Sequence, residues 1–391
     1  MSDVLLFVGV VVAAFVGYNV GGATTGPAFG PAVGSNAISK VGAAALMTVF
    51  FFAGGWTLGR EVVDTLGGDI VPSSLFSLEV SITVLFFIGG ALFVGNVFGV
   101  PASTSMSAVG SIAGLGIATG RIDWATMGVI VSWWLVAPVI AFWVSGVIGR
   151  YFYSHLNRLV SIPRNDEPTF VLDRTGRLPR LTTGEDVARR ETVGTAVLIG
   201  IGCYMAFSSG ASNVANAVAP LVGSGELAMN PAIALAAAAT GVGAFTIARR
   251  TLETLGNDIT DLPLTAAIVV AVVSATIISL LSAAGIPASF VVVATMSIIG
   301  LGWGRATRTT TLSDSVHGRE RTNVSVGALA ADREGEPLPK IGDERPEEIP
   351  KTTDLFDPET TARVILLQNV VPALATLGAY LAFRFVPVFG F

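Results

Sequence analysis

The chain has 391 residues, 52% of them hydrophobic and only 13% charged, with a formal net charge of -5. Soluble domains carry about a quarter charged residues, so composition excludes an ordinary soluble protein, and no nucleic-acid partner is expected. A single cysteine (Cys203) and two histidines (His155, His317) exclude an intrachain disulfide and a thiolate metal site. The N-terminus reads Met-Ser-Asp and then turns apolar with no basic stretch, so no cleaved signal peptide is expected.

A membrane crossing needs about 20 apolar residues to cover about 30 Å of hydrocarbon. In chain order such runs fall at about 4–20, 41–58, 78–97, 124–148, 193–208, 229–247, 263–284 and 363–388. Two weaker runs, at about 104–120 and 288–303, are rich in Gly, Ala and Ser and each follows a proline. Most of the arginine lies in two polar blocks, roughly 150–192 and 304–362. Cytoplasmic loops concentrate Lys and Arg: with neither weak run crossing, the blocks follow the fourth and seventh crossings and face opposite sides, and with both crossing they follow the fifth and ninth and share a side, which gives about ten crossings with both termini outside. The expected organisation is a first transmembrane repeat (1–149), a cytoplasmic polar loop (150–192), a second repeat (193–303), a cytoplasmic acidic loop (304–362) and a final transmembrane helix (363–391).

The two halves resemble each other. Gly21…Pro31-Ala32-Val33-Gly34-Ser35 matches Gly210…Pro220-Leu221-Val222-Gly223-Ser224, and Thr65-Leu66-Gly67-Gly68-Asp69-Ile70 matches Thr254-Leu255-Gly256-Asn257-Asp258-Ile259, both at an offset of 189. Gly99-Val100-Pro101-Ala102-Ser103 matches Gly285-Ile286-Pro287-Ala288-Ser289 at an offset of 186. Halves with an odd number of crossings must insert in opposite senses, and inverted repeats are a hallmark of secondary transporters. The expected fold class is an all-α integral membrane protein, an inverted repeat of two five-crossing halves with broken or re-entrant helices.

Polar small-residue segments interrupt the apolar runs at 17–36 and 209–225, and again at 99–105 and 285–289. Irregular backbone at membrane depth is tolerated only inside protein or along a watery cavity, and paired breaks point to a transporter's binding site. In Pro101-Ala102-Ser103-Thr104-Ser105 a proline leads hydroxyl residues into a helix N-terminus, where free N–H groups and the helix dipole favour an anion. Hydroxyls and amides supply further donors to a tetrahedral oxyanion. The candidate binding residues are Thr24, Thr25, Ser103, Thr104, Ser105, Ser212, Asn213, Asn216 and Ser289. Asp69 and Asp258 read as helix ends, and Trp133, Trp134 and Trp143 as packing against lipid or the membrane interface. The breaks hold no nucleophile–base pair and the polar blocks no nucleotide motif, so an enzyme is not expected.

At these breaks the chain resembles the PiT family of inorganic phosphate transporters, over nearly all of its length outside the polar blocks. The family's Gly-Ala-Asn-Asp-x-Ala-Asn-Ala signature appears as Gly210-Ala211-Ser212-Asn213-Val214-Ala215-Asn216-Ala217 and, more loosely, as Gly21-Gly22-Ala23-Thr24-Thr25-Gly26-Pro27-Ala28. The following Phe-Gly-x-x-Val-Gly-Ser is present as Phe29 to Ser35, and the Pro-x-Ser-Thr-Thr-His run as Pro101-Ala102-Ser103-Thr104-Ser105-Met106. The signature aspartates are replaced by Thr24 and Asn213, and the family's Phe-Glu-Phe by Phe50-Phe51-Phe52.

The resemblance implies a multi-pass cell-membrane transporter of inorganic phosphate, sodium-coupled and working by alternating access. The alternatives are a permease for sulfate or another oxyanion, and a non-transporting membrane sensor or partner subunit. No cofactor is implied beyond sodium as coupling ion, which would rest on neutral oxygens of Asn213, Asn216 and Thr24. The partners to expect are the oxyanion and membrane lipid, with a homodimer as the assembly to consider.

Overall fold

The computed structural model describes residues 2–35, 37–97, 103–153, 155–156, 170–173, 180–183, 189–258, 264–306 and 358–386. In chain order the helices are α1 (Ser2–Gly34), α2 (Lys40–Thr57), the short α3 (Gly59–Asp64), α4 (Leu78–Val97), α5 (Thr104–Thr119), α6 (Trp124–Val147), α7 (Arg189–Gly223), α8 (Met229–Asp258), α9 (Leu264–Ala283), α10 (Phe290–Ala306) and α11 (Pro358–Phe385). Local chemistry sets several boundaries. Ser39 caps α2 by accepting the Gly42 N–H at 3.1 Å, and Asp123 caps α6 by accepting the Ala125 and Thr126 N–H groups at 2.7 and 3.2 Å. Gly120, at φ 67°, closes α5 in the left-handed conformation that favours glycine.

Seven of these helices are long and apolar enough to cross a membrane, and the segments Thr104–Thr119, Phe290–Arg305 and Asn369–Phe385 are apolar but shorter. The chain is a multi-pass helical membrane protein. Helix α5, with 16 residues, is about 24 Å long at 1.5 Å per residue, shorter than about 30 Å of hydrocarbon. The physical reason is the lead into each short helix. Ile286 to Ser289 run without helix before α10, after a left-handed turn at Gly285 (φ 69°), and Ser103 is extended before α5.

One expectation is corrected. The segments 17–36 and 209–225 do not break their helices: α1 runs unbroken to Gly34 with Pro27 and Pro31 inside it, and α7 runs unbroken to Gly223 with Pro220 inside it. Backbone groups in hydrocarbon need internal partners, so the chain stays helical there, and its small residues serve close packing instead. A Cβ on Gly21 would collide with the carbonyl of Thr240, and one on Gly243 with that of Tyr18. In the same way, a Cβ on Gly210 would collide with the carbonyl of Phe51, and one on Gly54 with that of Phe207. The first polar block also carries a small antiparallel hairpin, β1 (Phe170–Asp173) against β2 (Arg180–Thr183), pairing Phe170 with Thr183 and Asp173 with Arg180. Phe-Val-Leu opposite Leu-Thr-Thr is strand-favouring composition. The membrane body itself is all-helical.

The halves interlock. Helix α1 packs on α8 and α2 on α7, while α5 packs on α11 and α6 on α10. The glycines at these crossings correspond between halves: Gly21 with Gly210 and Gly54 with Gly243 at the offset of 189, and Gly114 (against Thr376) with Gly300 (against Phe142) at the offset of 186. The core between them is filled by Phe29, Met47, Phe51, Leu85, Ile88, Ile112 and Leu221, all fully buried. Val4, Phe7, Leu135 and Trp143 are exposed on the outside, where lipid would cover them. Trp134 departs from the expected lipid-facing role: its indole N–H donates to the carbonyl of Pro287 at 2.8 Å and pins the extended lead of α10. Residues 98–102 and most of the acidic block, 307–357, lie outside the described residues.

Candidate functional site

The site is built where the N-terminus of α5 meets the middle of α7. Ser103, 1% exposed, caps α5 by accepting the Met106 N–H at 3.2 Å. Its carbonyl takes the Ser107 N–H and hydroxyl at 3.1 and 2.9 Å. This fixes a helix start whose first N–H groups have no intrahelical acceptor. Two hydroxyl residues follow at once. The hydroxyl of Thr104 donates to Asn213 Oδ1 on α7, joining residues from different halves of the chain.

Asn213 is the hub. Its Nδ2 donates to the Ser209 carbonyl at 2.9 Å, to Ser212 Oγ at 3.0 Å and to Ser209 Oγ at 3.3 Å. That set fixes which end of the amide is oxygen. Asn213 Oδ1 then accepts twice, from Thr104 and from Asn216 Nδ2 at 3.1 Å. Asn213 and Asn216 stand three residues apart and share a helix face. Because Asn216 spends its amide nitrogen on Asn213, its own Oδ1 is left buried with no donor. The hydroxyl of Ser105 is likewise buried with no partner. Such groups are rare in folded proteins, since each costs about 1–3 kcal/mol when left unpaired. Two of them beside one interhelical bond mark a place where a ligand or water would be gained cheaply. No charged side chain takes part in these bonds, so the local field comes from neutral dipoles and the α5 terminus.

The sequence-derived candidates divide into groups. Ser103, Thr104, Ser105, Ser212, Asn213 and Asn216 are brought together. Thr24 and Thr25 spend their hydroxyls on the carbonyls of Val20 and Gly21 within α1, at 2.7 Å each. Ser289 caps α10, accepting the Val292 N–H at 3.4 Å. Together with Met106 of the first turn of α5 it lines a mostly apolar cleft whose other walls include Trp133, Trp134, Pro138 and Val292. Ser209 joins the hub although it was not among the candidates; its place one turn before Asn213 was the available signal. Asn19 and Asn96 were also missed. Asn96 Nδ2 donates to the Asn19 carbonyl and Oδ1 at 3.1 and 3.0 Å, tying α4 to α1. Both stand out in sequence as amides inside apolar runs.

Of the three residues expected at a sodium site, Asn213 and Asn216 are hydrogen-bonded to each other, and the Thr24 hydroxyl donates to Val20 within α1. Asn216 Oδ1 is buried with no donor. Among the described residues no group of three or more His, Cys, Asp or Glu could hold a metal ion.

The chain is 31% identical over 292 residues to the sulfate permease CysP of Bacillus subtilis (strain 168), covering 74% of this chain and 75% of that one. A solved structure titled "The sodium-dependent phosphate transporter" superposes with a TM-score of 0.64 at 18% identity, covering 98% of this chain and all of that one, a likeness of fold. The model of the phosphate transporter family matches residues 20–330. By the match across most of its length, the chain belongs to the phosphate transporter family.

Proposed function

We propose that the chain carries a tetrahedral inorganic oxyanion across the membrane by alternating access, with phosphate as the cargo and sodium as the coupling ion. One observation carries the reading. The Thr104 hydroxyl at the α5 N-terminus meets the Asn213–Asn216 pair of the other half, and two polar atoms there, Ser105 Oγ and Asn216 Oδ1, are buried without partners. An anion at this place would receive the Thr104 and Ser105 hydroxyls and the free N–H groups of the helix start. Neutral donors hold an anion without the deep trap of a buried ion pair, which suits a carrier that must release its cargo.

The inverted-repeat organisation is part of the proposal. It is supported by the reciprocal glycine crossings, in which each half lends the same positions to the other. A site held between two interlocked halves can open to either side when they rock against each other. The polar blocks at 150–192 and 304–362 belong on the cytoplasmic side in this reading.

Sulfate is the second reading, favoured by two observations. The chain resembles a sulfate permease at 31% identity, and the hydrogen bonds of the cluster involve no carboxylate. Phosphate near neutral pH carries a proton that needs an acceptor; sulfate carries none and takes donors alone. The deciding experiment is uptake of labelled phosphate and sulfate into proteoliposomes, each with and without an inward sodium gradient. Sodium-stimulated phosphate uptake, blocked weakly by sulfate, supports the first reading. Preferential sulfate uptake moves the assignment to the second. No uptake of either anion removes the carrier reading.

A further inference from the structure

The two signature aspartates that the family uses are Thr24 and Asn213 here, which raises the question of how a cation and an anion could be coupled at a carboxylate-free site. The hydrogen-bond network supplies a route. Asn213 Oδ1 is a single atom with two lone pairs, and both are in use, by Thr104 Oγ1 and Asn216 Nδ2. The amide is held from turning over, because Nδ2 is engaged by Ser209 and Ser212. Thr104 therefore has its proton committed to Asn213 and has none to offer an anion. Asn213 in turn has no lone pair to offer a cation. Each group blocks the other's ligand.

We infer that the Thr104–Asn213 hydrogen bond is a switch shared by a monovalent cation and the oxyanion, so that binding of either favours binding of the other. The inference rests on the carrier reading above. When an oxyanion draws the Thr104 hydroxyl away, Asn213 Oδ1 regains a lone pair. It then stands on one helix face with Asn216 Oδ1, which is already buried and without a donor. Two neutral carbonyl oxygens suit a singly charged hard cation; a divalent ion would call for carboxylates. In the other order, a cation on the two carbonyls takes the acceptor from Thr104 and frees its hydroxyl for an anion. Ser105, whose hydroxyl is buried with no partner, is ready to donate in either order. The bond is broken once for two ligands, and the second to bind does not meet that cost. By linkage the effect is reciprocal. One buried hydrogen bond corresponds to roughly a five- to tenfold mutual gain in affinity.

The experiment is calorimetric titration of the purified full chain in detergent, with sulfate and with phosphate, in sodium chloride and in choline chloride. Sodium is also titrated with and without the better-bound anion. Wild type should bind the anion roughly five- to tenfold more tightly in sodium, and sodium should gain by the same factor from the anion. Thr104→Val frees Asn213 Oδ1 permanently. It should bind sodium more tightly than wild type and with no response to the anion, while Thr104→Ser should behave as wild type. Tighter, anion-independent sodium binding is a gain that a misfolded variant would not give. Anion affinity equal in sodium and choline overturns the switch while leaving the carrier reading standing, as does unchanged sodium affinity in a folded Thr104→Val. Absence of anion binding in every medium removes the carrier reading and the switch together.

Discussion

Asn213→Ala is the most direct test of the hub. The substitution removes one acceptor that serves two donors, Thr104 Oγ1 and Asn216 Nδ2, and one amide that serves Ser209 and Ser212. Asn213 is 3% exposed and Asn216 is fully buried, so water does not readily replace the lost partner at Asn216. A buried donor left unpaired costs about 1–3 kcal/mol. The Thr104 hydroxyl can turn to the Ser105 side or to solvent, so it is counted at the low end, giving about 2–4 kcal/mol for the pair. The side chain also crosses between halves, so its loss loosens the contact of α5 with α7. The assay is thermal unfolding of the detergent-solubilised chain, followed by intrinsic tryptophan fluorescence, together with uptake of the labelled anion. A clear fall in the unfolding midpoint and loss of uptake are expected. A variant as stable and as active as the parent would refute the reading of Asn213 as the centre of the network.

Other outcomes follow from the same geometry. Ser103→Ala removes the cap of α5 and should cost about 1 kcal/mol while weakening anion binding, read by unfolding midpoint and by titration. Gly243→Ala puts a Cβ against the carbonyl of Tyr18, where backbone must move. It should lower the yield of folded protein by size-exclusion profile more than the same change at Gly128, which has open space around it. Thr24→Val should leave uptake within about twofold of wild type, because the Thr24 hydroxyl is spent inside its own helix; abolished uptake would bring Thr24 into the site. Trp134→Phe loses the bond to Pro287 and should reduce stability by about 1 kcal/mol.

How much was legible in the sequence depends on which forces act locally. The membrane class and the helix positions were readable. Hydrophobic runs and proline leads act within a few residues. The internal repeat was readable because it is a property of the string itself. The continuity of α1 and α7 through segments rich in Gly and Pro was not. Local rules favour a break there, and only helix partners close enough to use those glycines, such as α8 against Gly21 and α2 against Gly210, decide otherwise. The site shows the same division. Ser103, Thr104, Ser105, Ser212, Asn213 and Asn216 could be named from residue type and motif. That the Thr104 hydroxyl would be spent on Asn213, 109 residues away, belongs to tertiary structure. So does the use of Ser289 as the cap of α10 in a cleft shared with Met106 of α5. A side chain's hydrogen-bonding capacity is written in its identity, but which capacity is left over depends on the neighbours that packing delivers.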